Sequence, residues 1–345
     1  MTYLRNAWYV AAWDSEVRAD APLQRRILDE AVVLFRDADG VAQAVSGVCP
    51  HRHASLGMGR VADGVLHCGY HGLGFDGSGA CVHNPFGAPA KTMRLTRYPV
   101  VERFAAIWIW MGDAEQADPA MIGDFACNDP ADNAVGQGYL RVEASYELEI
   151  DNILDLSHIQ FLHPTTLGSG QVSNAKYEWS QEGEAIWSKR DVFGEIMTEG
   201  LAQAMGMAPG TPSDRWIHTR WTAPANMVIW AGAVPAGRPQ SEGRATPTGH
   251  FFTPETATSS HYFYSIAFPR AMGPQAQAIA DAQVEFLSAP FREEDLPMLE
   301  EQQRNLNGQS LREAKLGWLP GDAAGARARN MLYALIDAEQ GHGAP

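Results

Sequence analysis

Through residues 1 to 115 the chain alternates short apolar runs, rich in Val, Ile, Trp and Tyr, with turns of Gly, Asp and Pro. Runs at 31–36, 41–48 and 105–110 are too short for helices, and Asp39-Gly40 and Asp76-Gly77 are good hairpin turns, so this stretch reads as an all-β domain. From about 116 to 138 Ala, Asp, Pro, Gly and Asn dominate without periodicity, as expected of a connecting segment. Residues 139–149 then alternate like a strand, and further strand patterns follow at 185–193, 216–222, 227–234 and 261–268. The end turns helical, with apolar residues at three-to-four spacing over 273–288, 293–307 and 324–339. The pattern predicts a second domain over 139–345, an antiparallel sheet with helices packed on it, and an α+β chain overall.

One stretch breaks the apolar rhythm: Asp151-Asn152-Ile153-Leu154-Asp155-Leu156-Ser157-His158-Ile159-Gln160-Phe161-Leu162-His163-Pro164. As a helix it places Asp151, Asp155 and His158 on one face. His158 and His163 would stand roughly 140° apart, so they converge only if the helix bulges or ends between them, and Pro164 favours an ending. Two imidazoles beside carboxylates suit a facial triad for non-haem Fe(II). Paired histidines on short helices are also common as ordinary surface or core residues, and the pattern alone leaves both readings open.

A formal net charge of −15 argues against nucleic acid or an anionic membrane surface as the main partner. No run of about 18 apolar residues occurs and the start lacks the pattern of a secretion signal, so the expected location is cytoplasmic. Four cysteines, Cys49, Cys68, Cys81 and Cys127, are too few and too scattered for a disulfide framework. Two of them stand in a second pattern, Cys49-Pro50-His51 and Cys68-Gly69-Tyr70-His71-Gly72. Zinc is the alternative for two cysteines and two histidines, but zinc loops usually leave at least two residues between ligands, and Cys49 and His51 leave one. In a Rieske [2Fe-2S] centre the cysteines hold one iron and the histidines the other, and C-x-H with C-x-x-H lets each loop span both. Cys81 and Cys127 read as core thiols, and His53, His67 and His83 as structural or exposed residues.

Together, Cys49-x-His51…Cys68-x-x-His71 and Asp151-Asn152-x-x-Asp155-x-x-His158-x-x-x-x-His163 resemble the Rieske non-haem iron oxygenases. The stretches Arg5-Asn6-Ala7-Trp8-Tyr9-Val10-Ala11-Ala12 and Asp295-Leu296-Pro297-Met298-Leu299-Glu300-Glu301-Gln302-Gln303 look most like the vanillate and dicamba O-demethylase oxygenase type. The resemblance implies an N-terminal Rieske domain, a C-terminal helix-grip (START-like) catalytic domain and a head-to-tail homotrimer. It implies a [2Fe-2S] cluster on Cys49, His51, Cys68 and His71, and Fe(II) on His158, His163 and Asp295. Glu293 and Glu294 precede Asp295 directly, so a neighbouring acid or a helix-capping role for Asp295 stays open. Asp155 matches the acid that bridges to a Rieske histidine, here His71, of the neighbouring subunit, and Asn152 lies near the iron.

The implied activity is that of an oxygenase component that uses O2 and NAD(P)H-derived electrons, delivered by a reductase with or without a ferredoxin, to O-demethylate a methoxylated aromatic acid. An aromatic-ring or side-chain hydroxylase or ring-dihydroxylating dioxygenase is the alternative, and a Rieske electron carrier a more distant one. Ile229, His250 and Phe286 are expected to line the substrate pocket, with His250 the polar candidate to receive a carboxylate and no arginine or lysine placed near the iron. Arg52, Arg60, Lys91 and Arg94 are the expected docking patch for the electron donor despite the acidic whole.

Overall fold

The computed structural model describes residues 3–89 and 91–341 and divides into two compact units. Met1–Ile122 with Thr253–Ala257 form the first, and Gly123–Phe252 with Thr258–Pro345 the second. The extreme ends of the expected domains, residues 1, 2 and 342–345, lie outside the described residues.

The first unit is all β apart from short 3-10 turns. Its strands are β1 (Trp8–Trp13), β2 (Leu23–Ile27), β3 (Glu30–Arg36), β4 (Ala42–Ser46), β5 (Arg60–Ala62), β6 (Val65–His67), β7 (Gly74–Phe75), β8 (Cys81–His83), β9 (Arg97–Tyr98), β10 (Val100–Arg103) and β11 (Ala106–Trp110). They form three sheets, ordered β1-β11-β10, β2-β3-β4-β9 and β5-β6-β7-β8. Every residue of β1 and of β11 is buried, which is why these runs read as continuously apolar and not as alternating.

The second unit is built on one seven-stranded antiparallel sheet, order β12-β18-β17-β16-β15-β14-β13. The strands are β12 (Asn133–Val142), β13 (Lys176–Glu182), β14 (Ala185–Glu195), β15 (Ser213–Thr222), β16 (Asn226–Pro235), β17 (Arg244–Thr256) and β18 (Ser259–Pro269). Its helices are α1 (Tyr146–Leu154), α2 (Ile159–Leu162), α3 (Glu199–Ala204), α4 (Ala276–Pro290), α5 (Leu296–Asn305) and α6 (Ala323–Glu339). Helix α4 packs on β12 and β18, and α6 on α1, β13 and β14. Among the described residues no helix is long and apolar enough to cross a membrane.

Three local expectations are corrected. Residues 146–149 form the first turn of α1 and not the end of a strand: Ser145 caps the helix by accepting from the Glu147 amide, and residues 146–150 are buried on all sides, which erases the helical period. The acidic stretch is three pieces and not one helix, with α1 stopping at Leu154, a 3-10 turn at Leu156–His158 and then α2. The first two C-terminal helices are one continuous rod, α4 passing through a π-turn at Phe291–Asp295 into α5. Pro290 and Pro297 each withhold an N–H from the helical ladder, and the wider π-turn takes up the mismatch between them.

Candidate active site

In the first unit two loops of one design present the predicted cluster ligands. Cys49 follows β4 and donates its amide to the Ala54 carbonyl at 2.9 Å, while Cys68 follows β6 and donates to Leu73 at 2.8 Å. Four residues on, the amides of His53 and Gly72 donate back to the carbonyls of Cys49 and Cys68, each at 2.9 Å. That turn needs a left-handed residue at its fourth step, with φ of 55° at His53 and 71° at Gly72. His53 is therefore a turn residue in the loop.

The thiols of Cys49 and Cys68 point into the apolar core and are 1% and 2% exposed. His51 is exposed, His71 is half-buried, and their ring centroids lie 4.6 Å apart. Burial pushes the Cys49 thiol up, the His51 amide aimed at its sulfur works against this, and the neighbouring Cys68 pushes it further up. Two thiols on the inside and two imidazoles on the outside fit a two-iron cluster, with sulfur donors at one iron and nitrogen donors at the other. Arg52, Arg60, Lys91 and Arg94 are all exposed in this unit.

In the second unit the breaks in the acidic stretch bring the two histidines together. Asp155 ends α1 and caps the 3-10 turn, accepting from the Ser157 amide at 3.1 Å and the Ser157 hydroxyl at 2.9 Å. His158 Nδ1 lies 2.8 Å from the Asp155 carbonyl, which can only accept, so Nδ1 carries the proton and Nε2 is the free donor atom. His163 ends α2, and the chain behind it packs so closely that a Cβ on Gly168 would overlap the Ile159 carbonyl. Its Nδ1 donates to Glu294, leaving Nε2 facing Asp295 Oδ1 at 3.2 Å. His158 Nε2 lies 3.5 Å from the same oxygen, and Asn152 Nδ2 donates to it at 3.1 Å.

One donor atom from each of His158, His163 and Asp295 lies within 4.8 Å of the others, an arrangement that can hold a single metal ion. Burial pushes the Asp295 carboxyl up, but the two imidazoles outweigh it and bring it down to about 2, so it is ionised. The carboxylate facing the histidine pair is thus Asp295, and it makes no capping bond to α5. Glu294 points to the far side of His163, where it also accepts from Thr166 at 2.8 Å and fixes the ring. Its role was not legible in a run of three acids; the π-turn is what sends two adjacent acids to opposite sides of one imidazole.

A cavity of about 140 Å³ opens on this group, lined mostly by apolar side chains and including Ile229, Phe286 and His250. His250 differs from expectation. Burial pushes its imidazole down to about 3, and its two nitrogens already meet the Tyr262 hydroxyl at 2.7 Å and the Thr248 hydroxyl at 2.9 Å. It is neutral and cannot pair as a cation with a carboxylate. An arginine does reach the wall: Arg215 lines the cavity, with its guanidinium paired to Glu195 at 2.7 Å and bonded to the Leu167 carbonyl at 2.9 Å. Its signal was the period of two along β15, where Arg215, Ile217 and Thr219 share the inner face.

Asp155 is held within its own chain by more than the cap, since Arg190 donates to its Oδ1 at 2.7 Å. Its side chain keeps 19% exposure beside a cavity of about 190 Å³ lined by Leu316, Trp318 and Arg329.

Comparison with known proteins finds a family match for each unit. Residues 7–99 match the Rieske [2Fe-2S] domain model and residues 142–338 the vanillate O-demethylase oxygenase C-terminal domain model. The chain is 40% identical over 267 residues to the oxygenase component of dicamba O-demethylase from Stenotrophomonas maltophilia, covering 76% of this chain and 78% of that protein. It is 35% identical over 358 residues to the iron-sulfur subunit TsaM1 of the toluene-4-sulfonate monooxygenase system of Comamonas testosteroni, covering 99% of this chain and 100% of that protein. The crystal structure of dicamba monooxygenase bound to dicamba superposes with a TM-score of 0.88 at 33% identity, covering 99% of this chain and 100% of that one. With the family model spanning more than half of its length and relatives of this similarity, the chain belongs to the Rieske non-haem iron oxygenases, as an oxygenase component of the vanillate O-demethylase type.

Proposed function

We propose that this chain O-demethylates a methoxylated aromatic acid to a phenol with release of formaldehyde, using O2 and electrons that a reductase draws from NAD(P)H. The observation that carries this reading is the apolar cavity opening directly on His158, His163 and Asp295. When loaded, the [2Fe-2S] cluster on Cys49, His51, Cys68 and His71 supplies electrons singly, and the iron on His158, His163 and Asp295 supplies oxygen activation. The protein's own part is orientation and exclusion of water. The Asp155 carbonyl and the Glu294 carboxylate hold the Nδ1 protons of the two histidines so that both Nε2 atoms face inward.

The substrate ring lies between Ile229 of the sheet and Phe286 of α4, both of which line the cavity. Its acidic group is received by Arg215, Thr246 and Gln283, which place hydrogen-bonding side chains on the cavity wall. Glu195 neutralises Arg215, so these three side chains supply N–H and O–H donors but no net charge.

Asp155 is the acid that links this site to His71 of a neighbouring copy in a head-to-tail homotrimer. Exposed Leu316, Trp318 and Leu319 beside it give the unit an apolar rim suited to a second copy. The protein works in the cytoplasm, and its electron donor docks on Arg52, Arg60, Lys91 and Arg94. Charge reversals there should slow cluster reduction and flatten its dependence on ionic strength.

A panel of methoxybenzoates with a suitable reductase and NAD(P)H tests the reaction, and formaldehyde equal to phenol is expected. The similarity to a toluene-4-sulfonate monooxygenase subunit favours a second reading, hydroxylation of an aryl methyl group. Peroxide alone from every methoxyarene, with productive turnover of a methylarene, would select it. Size-exclusion chromatography with light scattering tests the trimer.

A further inference from the structure

Behind Asp295 lies a buried acid that none of these roles uses. Glu149, on α1, is 1% exposed. The Ser260 hydroxyl lies within hydrogen-bond distance of both Glu149 Oε2 and the Ala144 carbonyl. One hydroxyl has one proton, and the Ala144 carbonyl can only accept it, so the contact with Glu149 is complete only if Oε2 carries a proton of its own. Burial pushes the Glu149 carboxyl up to about 8, with the Ser260 hydroxyl opposing, so geometry and burial agree on a neutral acid at neutral pH.

The other oxygen, Oε1, is buried and has no hydrogen-bond partner. Glu149 also lines a cavity of about 10 Å³, the space of roughly one water molecule, together with Asn152, Tyr262 and Asp295 among apolar side chains. Around the small cavity and the Glu149 carboxyl stand Asn152 and Ile153 from its own helix, Phe252 from β17, Ser260 and Tyr262 from β18, Phe291 and Asp295 from the π-turn, and Leu296 and Leu299 from α5. None of these is a cation, and only Tyr262 and Asp295 titrate. Tyr262 in turn meets His250 Nδ1, and His250 Nε2 meets Thr248, whose side chain lines the substrate cavity. Tyr262 is held protonated by its burial, so its hydroxyl donates to Nδ1, the His250 Nε2 proton is directed to Thr248, and the Thr248 hydroxyl is directed to the cavity.

We propose that Glu149 stores a proton for oxygen reduction and passes it through one water in the small cavity, then along Tyr262, His250 and Thr248, into the substrate cavity. This rests on the proposed oxygenase reaction, in which a methoxyarene, O2, two electrons and two protons give a phenol, formaldehyde and water. Glu149 supplies one of the two protons. For release the carboxyl turns about its Cγ–Cδ bond and carries its one proton from the Ser260 side to the cavity; as the proton leaves, the Ser260 hydroxyl swings from Ala144 to the carboxylate oxygen beside it and stabilises the anion, and solvent reprotonates the acid between turnovers. Glu149 and Tyr262 act through other groups and are positioning residues.

Infrared spectroscopy of the full-length loaded protein tests the store without turnover. A buried protonated-carboxyl band should be present at pH 7, shift in D2O, disappear as pH rises through about 8, and be missing in Glu149→Gln. Tyr262→Phe should keep the band. With whichever arene the wild type turns over, both variants should lose about 100-fold in kcat at unchanged KM, with more O2 ending as peroxide and metal content intact. A band that survives Glu149→Gln, or a Glu149→Gln variant with wild-type turnover and coupling, overturns the proposal. Because the comparison uses any productive arene, that result leaves the choice between demethylation and hydroxylation untouched.

Discussion

Asp155 carries two separable loads, and substitution can tell them apart. Its carboxylate caps the turn that holds His158, and it neutralises Arg190, whose side chain is only 6% exposed. Asp155→Asn keeps the cap, since Asn caps a helix as well as Asp does, but it strands the guanidinium. Breaking a buried pair from one side costs typically 3–5 kcal/mol, and with Asp155 partly exposed the lower end applies, about 3 kcal/mol. For a unit of this size that is a fall in melting temperature of about 6–12 °C. Asp155→Ala removes the cap as well and should cost about 1 kcal/mol more. Adding Arg190→Met to Asp155→Asn removes the stranded charge and should restore most of the loss. If Asp155 also links to a neighbouring copy, the stabilised double variant should still pass electrons between cluster and iron at least 10-fold more slowly, measured by single-turnover oxidation of the reduced cluster. Asp155→Asn melting within a degree of wild type would refute the ion-pair argument. A double variant with restored melting and full electron transfer would refute the link.

Three further outcomes are expected. Cys68→Ser should abolish the visible cluster spectrum while leaving the second-unit iron, whereas His163→Ala should do the reverse, checked by absorbance and by iron and sulfide analysis. Arg215→Met should leave Glu195, at 0% exposure, without its cation and cost about 3–5 kcal/mol by thermal unfolding; Arg215→Met with Glu195→Gln should regain much of it. Glu149 titrates at about 8 in the fold against an ordinary 4.5, so the stability gained by holding it neutral is fully present below pH 4.5 and lost as pH rises through about 8. Glu149→Gln cannot ionise, so the stability of wild type relative to it should fall by on the order of 5 kcal/mol across that window, read as the divergence of their melting temperatures.

The cluster loops were legible because each ligand pair sits within a few residues in one turn, where spacing is geometry. Cys49 with His51 and Cys68 with His71 needed no tertiary knowledge beyond the joining of two loops. The histidines of the second site were legible as a pair, but their convergence was not, because a period of 3.6 assumes a helix that continues. Asp295, 132 residues from His163, entered only through the family resemblance. The roles of Glu294, Glu195 and Glu149 were invisible for another reason. A glutamate's role here depends on whether it is stripped of water and by whom it is met, and neither is written in its neighbours along the chain.

Both local irregularities serve the same demand. A straight helix over 151–163 would put His158 and His163 on different faces, and a straight α4–α5 rod would spread Glu294 and Asp295 by about 100° on its surface without matching them to the two nitrogens of one ring. Ending α1 at Leu154 and turning once as a 3-10 helix changes the rotation between the histidines, while Asp155, standing at the break, supplies the carbonyl that orders His158 and the carboxylate that caps the turn. Widening the rod into a π-turn puts Asp295 on the inner side of His163 and Glu294 on the outer. Each defect gives up regular backbone bonds, and each is offset by side chains that the defect itself brings into place: Ser157 and Arg190 at the first, His163, Thr166 and Asn152 at the second. The metal-ligating geometry is therefore coupled to local folding at both ends, so a substitution that merely regularises either helix, such as replacing Pro290 or Pro297 by alanine, acts on the site although it touches no ligand.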